Sequence, residues 1–485
     1  MAKKDKKYNE QIQEIMNEYF RELERKSILY TEPEACRNAE GIPLAIRGTC
    51  SKGHLVGIHK GCEGHAVIFG GTGSGKSTGP IMAALSTWKE PIVVIDPKGE
   101  LYRRYCKLYE DGIVTIPSIL FDPTRKDAAR YDPLYLIKHD KANLMSNLTA
   151  LAHAIAPVSS ECREPYWAET IQAILKAGIL HYMTSGFNFS EIMVYLMSHS
   201  LAEIVEEFRS DNDDRIKMII GSIKNLKPEE LASHDLGFRN KLEIFTEDMI
   251  KRAFDCKRRK NSKSFCWDDL RNHAIFLRIP EEYVEQWSAP IRLMITQLFK
   301  YLMRRPDKSV SGGEPPVLLL LDEIARFGKV EGLSDALCTL RSKNVNIVLA
   351  LQSLAQLDKH YGVDERRIIC ENCQYKLILQ AGDPETQEFL SKLIGVSRKK
   401  LHGKGATMDE NGEVTGYSRQ KNEAYLPRVF PHELATQNGA ILLSPDGYER
   451  LEKIRVYDPD FEELLYSPLL TAKQDELLKM KGESI

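Results

Sequence analysis

The segment Gly70-Gly-Thr-Gly-Ser-Gly75-Lys76-Ser77-Thr78 holds residue types that together bind phosphate. Its glycines let backbone N–H groups turn inward around an anion, and a helix starting at about Lys76 adds its positive dipole end. Gly70, Gly71, Thr72, Gly73, Ser74, Gly75 and Thr78 then form the cradle. Lys76 neutralises β- and γ-phosphates, and the Ser77 hydroxyl ligates Mg²⁺. The apolar run Ala66 to Phe69 ahead of the loop is the strand this motif requires.

Val317 to Leu321 followed by Asp322-Glu323 supplies the complementary half. An acid ending a buried strand stands at the carboxyl edge of the sheet beside the phosphate loop, so Asp322 is the second metal-side residue. Glu323 is placed to activate an attacking water, which points to hydrolysis rather than transfer to a small acceptor. Gln352 ends another apolar run at the same edge and would bond the water or the γ-phosphate. Arg341 is a candidate arginine finger that needs a neighbouring subunit to reach a nucleotide.

The elements that must position these residues are legible as short apolar runs bounded by Gly, Pro or Asp. They are Ala66 to Phe69, Ile92 to Ile95, Ile119 to Phe121, Ala274 to Ile279, Val317 to Leu321, Ile347 to Leu351, Tyr375 to Leu379 and Ala440 to Leu443. None alternates in polarity, which fits strands buried on both faces of a mainly parallel sheet. Between the third and fourth runs the pattern turns helical: Trp167, Ile171, Ile174, Leu175, Gly178, Ile179 and Tyr182 share one face, and amphipathic segments cover 190–208, 214–226 and 238–254.

The expected organisation is a nucleotide-binding α/β domain over 61–141 and 263–465, interrupted by an all-helical domain at 142–262. A lead-in of residues 1–60, with an amphipathic helix at 6–28, and a tail at 466–485 flank it. Gly403, Gly405, Gly412 and Gly416 predict a surface hairpin at 402–422.

With 67 basic against 69 acidic residues the chain is not a uniformly basic nucleic-acid binder, so any such contact must be local. The basic cluster Lys251, Arg252, Lys257, Arg258, Arg259, Lys260 and Lys263 is one place for it. No apolar run approaches the roughly 18 residues of a membrane span, and the basic start lacks the apolar core of a secretory signal. The reading is cytoplasmic, with peripheral attachment at the inner face of the cell membrane left open. Ten scattered cysteines read as reduced thiols. Cys50, His54, Cys62 and His65 have spacing that could hold zinc or simply decorate a Gly-rich hairpin, and Cys370 and Cys373 have redox-like spacing without a second pair.

Several segments taken together carry a resemblance. Gly71-Thr-Gly-Ser-Gly-Lys-Ser77, Asp96-Pro-Lys-Gly-Glu-Leu-Tyr102, Tyr166-Trp-Ala-Glu169, Leu321-Asp-Glu-Ile-Ala-Arg-Phe-Gly328 and Leu349-Ala-Leu-Gln-Ser-Leu-Ala-Gln356 stand in the order found in the type IV secretion coupling proteins, which this chain resembles from about residue 60 to 460. The resemblance implies RecA-like domains in a hexameric ring that hydrolyses ATP with Mg²⁺. It further implies single- or double-stranded DNA, relaxase or relaxosome proteins and secretion-channel components as partners. It carries Mg-ATP binding onto Lys76 and Ser77, metal and water onto Asp322 and Glu323, nucleotide sensing onto Gln352, and the neighbouring subunit's finger onto Arg341. Asp96 and Lys98 fall at the edge of the nucleotide pocket or in a structural turn. Most of that family carry an N-terminal membrane anchor, and none is read here, so attachment through partners is expected. A protein-substrate receptor ATPase, and a ring ATPase moving DNA in chromosome segregation or phage defence, are the alternatives.

Overall fold

The structure is a computed structural model that describes residues 41–48, 54–157, 166–223, 225–256, 263–309, 314–408 and 414–458. The expected helix at 6–28, the tail, Cys50 and, of the basic cluster, Lys257, Arg258, Arg259 and Lys260 lie outside these residues. Fifteen strands are present among them. They are β1 (Gly41–Arg47), β2 (His54–His59), β3 (Ala66–Phe69), β4 (Ile92–Ile95), β5 (Ser118–Phe121), β6 (Arg130–Tyr131), β7 (Ser264–Phe265), β8 (Ala274–Leu277), β9 (Val317–Asp322), β10 (Val345–Leu351), β11 (Tyr375–Ile378), β12 (Val396–Met408), β13 (Val414–Pro427), β14 (Ala440–Ser444) and β15 (Gly447–Leu451).

Nine of them form one sheet in the order β15-β14-β11-β3-β10-β9-β4-β8-β5. Every pair from β11 to β5 is parallel, while β14 and β15 add antiparallel strands at one edge. All eight apolar runs of the sequence lie in this sheet, and β3, β4, β9 and β10 are buried along their whole length. Continuous apolar sequence is what a strand covered on both faces requires.

Alternate residues along each strand feed two separate cores. Val67, Phe69, Val93 and Phe121 join a cluster that continues through Trp287 into Ile174, Phe208 and Phe245 of the helical segments. Ala66, Ile68, Val94 and Leu320 join a second cluster with the β1–β2 hairpin and Leu101, Tyr105 and Leu108 of helix Glu100–Glu110. Between β6 and β7 the described residues are mainly helical, with the longest helices at Tyr166–Thr184 and Pro228–Thr246. Helices Phe189–Ser198 and Leu201–Arg209 begin at capping boxes on Asn188 and Ser200, which satisfy N–H groups that a helix start leaves unpaired.

β12 and β13 make the expected hairpin. β1 is less obvious in sequence, because Pro43 interrupts it and the register shifts between Pro43 and Ala45. Its backbone is tied to the chain's far end by reciprocal bonds between Ile46 and Glu452. No described helix is long and apolar enough to cross a membrane.

Candidate nucleotide site

Four neighbouring parallel strands, β3, β10, β9 and β4, end at one edge of the sheet. Gly70 follows β3, Gln352 follows β10, Asp322 closes β9 and Asp96 follows β4. Register fixes their heights: Leu351 pairs with Phe69, Ala350 with Asp322, and Ile95 with Leu321. The carboxyl ends of parallel strands are where such sheets hold ligands.

The Gly70–Ser77 loop is anchored by the Gly70 N–H donating to the Leu351 carbonyl at 3.0 Å. Gly73 (φ 75°) and Gly75 (φ 95°) take left-handed backbone conformations that other residues adopt at a cost. Lys76 is buried and folds back along the loop, its Nζ donating to the Gly70 and Gly71 carbonyls at 2.5 and 3.1 Å. Burial lowers its pKa, opposed by Asp322 and Glu323.

The following helix differs from a simple continuation of the loop. Ser77–Ile81 is a wide π-type turn, with Gly79 out of helical geometry and Pro80 inside it, before the α-helix Met82–Thr87. Pro80 lacks an N–H, and the wide turn lets Ile81 N–H reach the Lys76 carbonyl at 3.5 Å. A side chain on Gly79 would place its Cβ 2.6 Å from the Ile454 carbonyl oxygen, so this packing requires glycine. Val456 N–H donates to the Thr78 carbonyl at 3.3 Å, strapping the 453–457 segment over the start of the helix.

Ser77 Oγ donates to Asp322 Oδ2 at 2.6 Å. Asp322 Oδ1 is buried and has no hydrogen-bond partner. Burial pushes the Asp322 pKa up to about 6, although Ser77 and Lys76 oppose the rise. A hydroxyl, a carboxylate and one orphaned buried oxygen form a hard donor set, so these residues fit Mg²⁺.

Glu323 sits at φ 54°, one of two described non-glycine residues in the left-handed region. Such a residue carries strain of about 1–2 kcal/mol, commonly found at functional positions. Its Oε1 accepts from Gln352 Nε2 at 3.2 Å and its Oε2 from Arg326 Nη1 at 2.7 Å. Arg326 was not singled out by the sequence. Its signal is the three-residue spacing from Glu323, which the turn Ile324–Phe327 converts into contact.

Asp96 closes a turn: its Oδ2 accepts the Tyr102 N–H at 2.8 Å, and burial raises its pKa. With Lys98 it also borders a small cleft shared with Ser77, Asp322 and Glu323. On the other side of the loop, Gly73, Gly75 and Thr78 face Gln380, Asn438, Lys453, Arg455 and Tyr457 across a cavity of about 410 Å³. These partners come from the chain's last described quarter and have no sequence motif to announce them.

The structure does not bring Arg341 into this group. It lies in the turn Leu340–Lys343 that leads into the amino end of β10, and its Nε pairs with Glu63 at 3.3 Å. Gln352 stands beyond the opposite end of that strand, roughly 20 Å away at about 3.3 Å per residue.

His65 is fully buried, and its Nδ1 accepts the Ile347 N–H at 3.0 Å. Burial pushes its pKa down to about 4. Among the described residues no group of three His, Cys, Asp or Glu side chains could hold a metal. Cys370 and Cys373 are buried, with thiol pKa values raised by burial, so neither has the character of a reactive thiolate.

A family model described as "Type IV secretory system Conjugative DNA transfer" matches residues 10–446. The chain belongs to this family. Conjugal transfer protein TraG of Agrobacterium fabrum is 22% identical over 399 residues, covering 76% of the chain and 56% of that protein. Protein VirD4 of the same organism is 23% identical over 446 residues, covering 88% of the chain and 64% of that protein. The chain thus spans less than two thirds of the length of these relatives. Among solved structures, the bacterial conjugative coupling protein TrwBdeltaN70 superposes with a TM-score of 0.60 at 15% identity, covering 90% of the chain and 95% of the neighbour. TrwB in complex with ADP and Mg²⁺ does so with 0.55 at 17%, covering 82% and 88%. This likeness establishes the RecA-like α/β fold.

Proposed function

We propose that this family member is an ATP-hydrolysing coupling protein that recruits and drives DNA, or a relaxase-bound DNA strand, to a type IV secretion channel. The observation that carries the reading is the convergence of Lys76, the Ser77–Asp322 pair and the Glu323–Gln352 pair on three adjacent strand ends. Residues 61–141 and 263–465 form the nucleotide-binding domain in this reading, and 142–262 the helical one. The helical segments and the partly basic 251–263 stretch are the surfaces offered to relaxosome proteins and DNA. The working form is a homohexamer at the cytoplasmic face of the membrane.

In this reading the Gly70–Thr78 backbone binds the phosphates, and Lys76 exchanges its two carbonyl partners for β- and γ-phosphate oxygens. Ser77 and Asp322 hold Mg²⁺, which when bound supplies positive charge against the phosphate oxygens. Glu323 orients the attacking water and takes its proton at a carboxylate oxygen, and Gln352 steadies the same carboxylate. Gln380, Asn438 and Tyr457 border the space left for base and ribose. Arg341 acts on a neighbouring subunit's nucleotide.

The experiment is phosphate release from ATP by the purified full chain with Mg²⁺, with and without single-stranded DNA. Turnover that rises with DNA supports the reading. Tight nucleotide binding without turnover under either condition removes the motor from it.

A further inference from the structure

Outside the phosphate cradle, a groove of about 990 Å³ opens where helix Pro228–Thr246 meets the carboxyl edge of the sheet. Arg326 lines it, and so does Gln356, whose Oε1 accepts the Gln352 backbone N–H at 2.9 Å. Of the two side chains bonded to Glu323, Arg326 therefore lines this groove itself, while the backbone of Gln352 is held by the groove residue Gln356.

The lining of the groove carries more cations than acids. Five permanent cations, Lys241, Arg292, Arg326, Lys329 and Lys359, face three carboxylates, Glu281, Glu285 and Glu331. Arg292 is occupied with the Phe327 carbonyl at 2.8 Å and Lys329 with Glu365 at 2.8 Å. Lys241 and Lys359 are exposed and make no ion pair with a described residue. Burial, Lys359 and Arg292 together lower the pKa of His360 in the groove wall, in keeping with a positive local field.

Each Glu323 oxygen already accepts one hydrogen bond from the protein, so an incoming water must share the carboxylate with Gln352 and Arg326. Arg326 is the movable partner. It is about one-third exposed and shared with Glu281 at 3.4 Å. A phosphate presents the same planar guanidinium with an equally good acceptor pair.

We propose that Arg326 is a tether on Glu323, and that the groove takes the phosphate backbone of a nucleic-acid strand, which draws the guanidinium away and frees the carboxylate for water. The proposal rests on the ATPase reading above and adds to it how substrate would switch hydrolysis on. Arg326 is a positioning residue in this scheme, acting through Glu323.

The test is steady-state ATP hydrolysis by the full chain with and without an oligothymidylate strand, with poly-glutamate as the alternative polyanion. Arg326→Ala is expected to raise the DNA-free rate at least threefold and to bring the fold-stimulation by DNA close to one, with affinity for a fluorescent ATP analogue unchanged. Arg326→Gln, which keeps the side chain's length, must behave alike, and Arg326→Lys must fall between it and wild type. The double variant Lys241→Glu with Lys359→Glu is expected to raise the half-stimulating DNA concentration tenfold or more. An active wild type whose Arg326→Ala form is slower without DNA, or is stimulated as strongly as wild type, overturns the tether. Equal stimulation by poly-glutamate overturns the nucleic-acid occupant. A wild type inert toward ATP overturns the ATPase reading and the tether with it.

Discussion

Ser77 and Asp322 lie 245 positions apart in the chain and are joined by a 2.6 Å hydrogen bond at the carboxyl edge of the sheet. That bond satisfies one carboxylate oxygen and leaves the other buried without a partner. A buried acid whose pKa is pushed up to about 6 is a site arranged for a positive charge that the protein alone supplies incompletely.

Stability should therefore rise when this acid is neutralised. The folded pKa lies above the ordinary 3.8, so the protonated form is favoured by folding, and the cost of the charge grows between about pH 4 and 6 and is complete at pH 7. Asp322→Asn should stabilise the metal-free protein at pH 7 by about 1–3 kcal/mol, with the gain vanishing near pH 4. Urea unfolding in EDTA at both values checks this, and an unchanged or lower stability at pH 7 contradicts it.

Cation binding should carry the same signature. Because the carboxylate must ionise to ligate a metal, affinity for Mg²⁺-nucleotide should fall as pH drops through about 6, and binding there should release a proton. Calorimetry at pH 6 in buffers of different ionisation enthalpy reads the proton directly. A binding heat independent of buffer would separate Asp322 from the metal.

Gly79 is expected to tolerate no side chain. Alanine there meets the Ile454 carbonyl oxygen at 2.6 Å, and the clash should cost about 1–3 kcal/mol. Because the clash would push Ile454 away beside the Val456–Thr78 bond that straps residues 453–457 over the loop, nucleotide affinity should fall with it. Denaturant unfolding and titration with a fluorescent ATP analogue measure the two effects.

The proposed action of Arg341 on nucleotide requires a neighbouring subunit, since its own strand separates it from Gln352. Arg341→Ala should hydrolyse slowly alone, and mixing it with Lys76→Ala should raise total turnover, because each supplies what the other lacks. Mixtures no faster than the two variants measured separately leave Arg341 only its ion pair with Glu63.

Eight sheet strands were legible as apolar runs because burial on both faces writes itself into composition. The loop, Asp322, Glu323 and Gln352 were legible because each directly follows or ends such a run. What was hidden has physical reasons. β1 carries Pro43 and a register shift, and β15 holds Tyr448, Glu449 and Arg450 at a sheet edge, so neither presents an unbroken apolar run. The wide turn at Gly79-Pro80 is set by a carbonyl more than 370 residues away. Arg326 reads as one more surface charge until the positive φ of Glu323 and the turn after it bring the pair together.

The most direct measurement is the separation of binding from turnover in Glu323→Gln. This variant should bind Mg²⁺-ATP within about threefold of wild type while phosphate release falls by about 10²-fold or more, within the roughly 10²–10⁴-fold that a general base contributes. Hydrolysis at the wild-type rate in Glu323→Gln would contradict it.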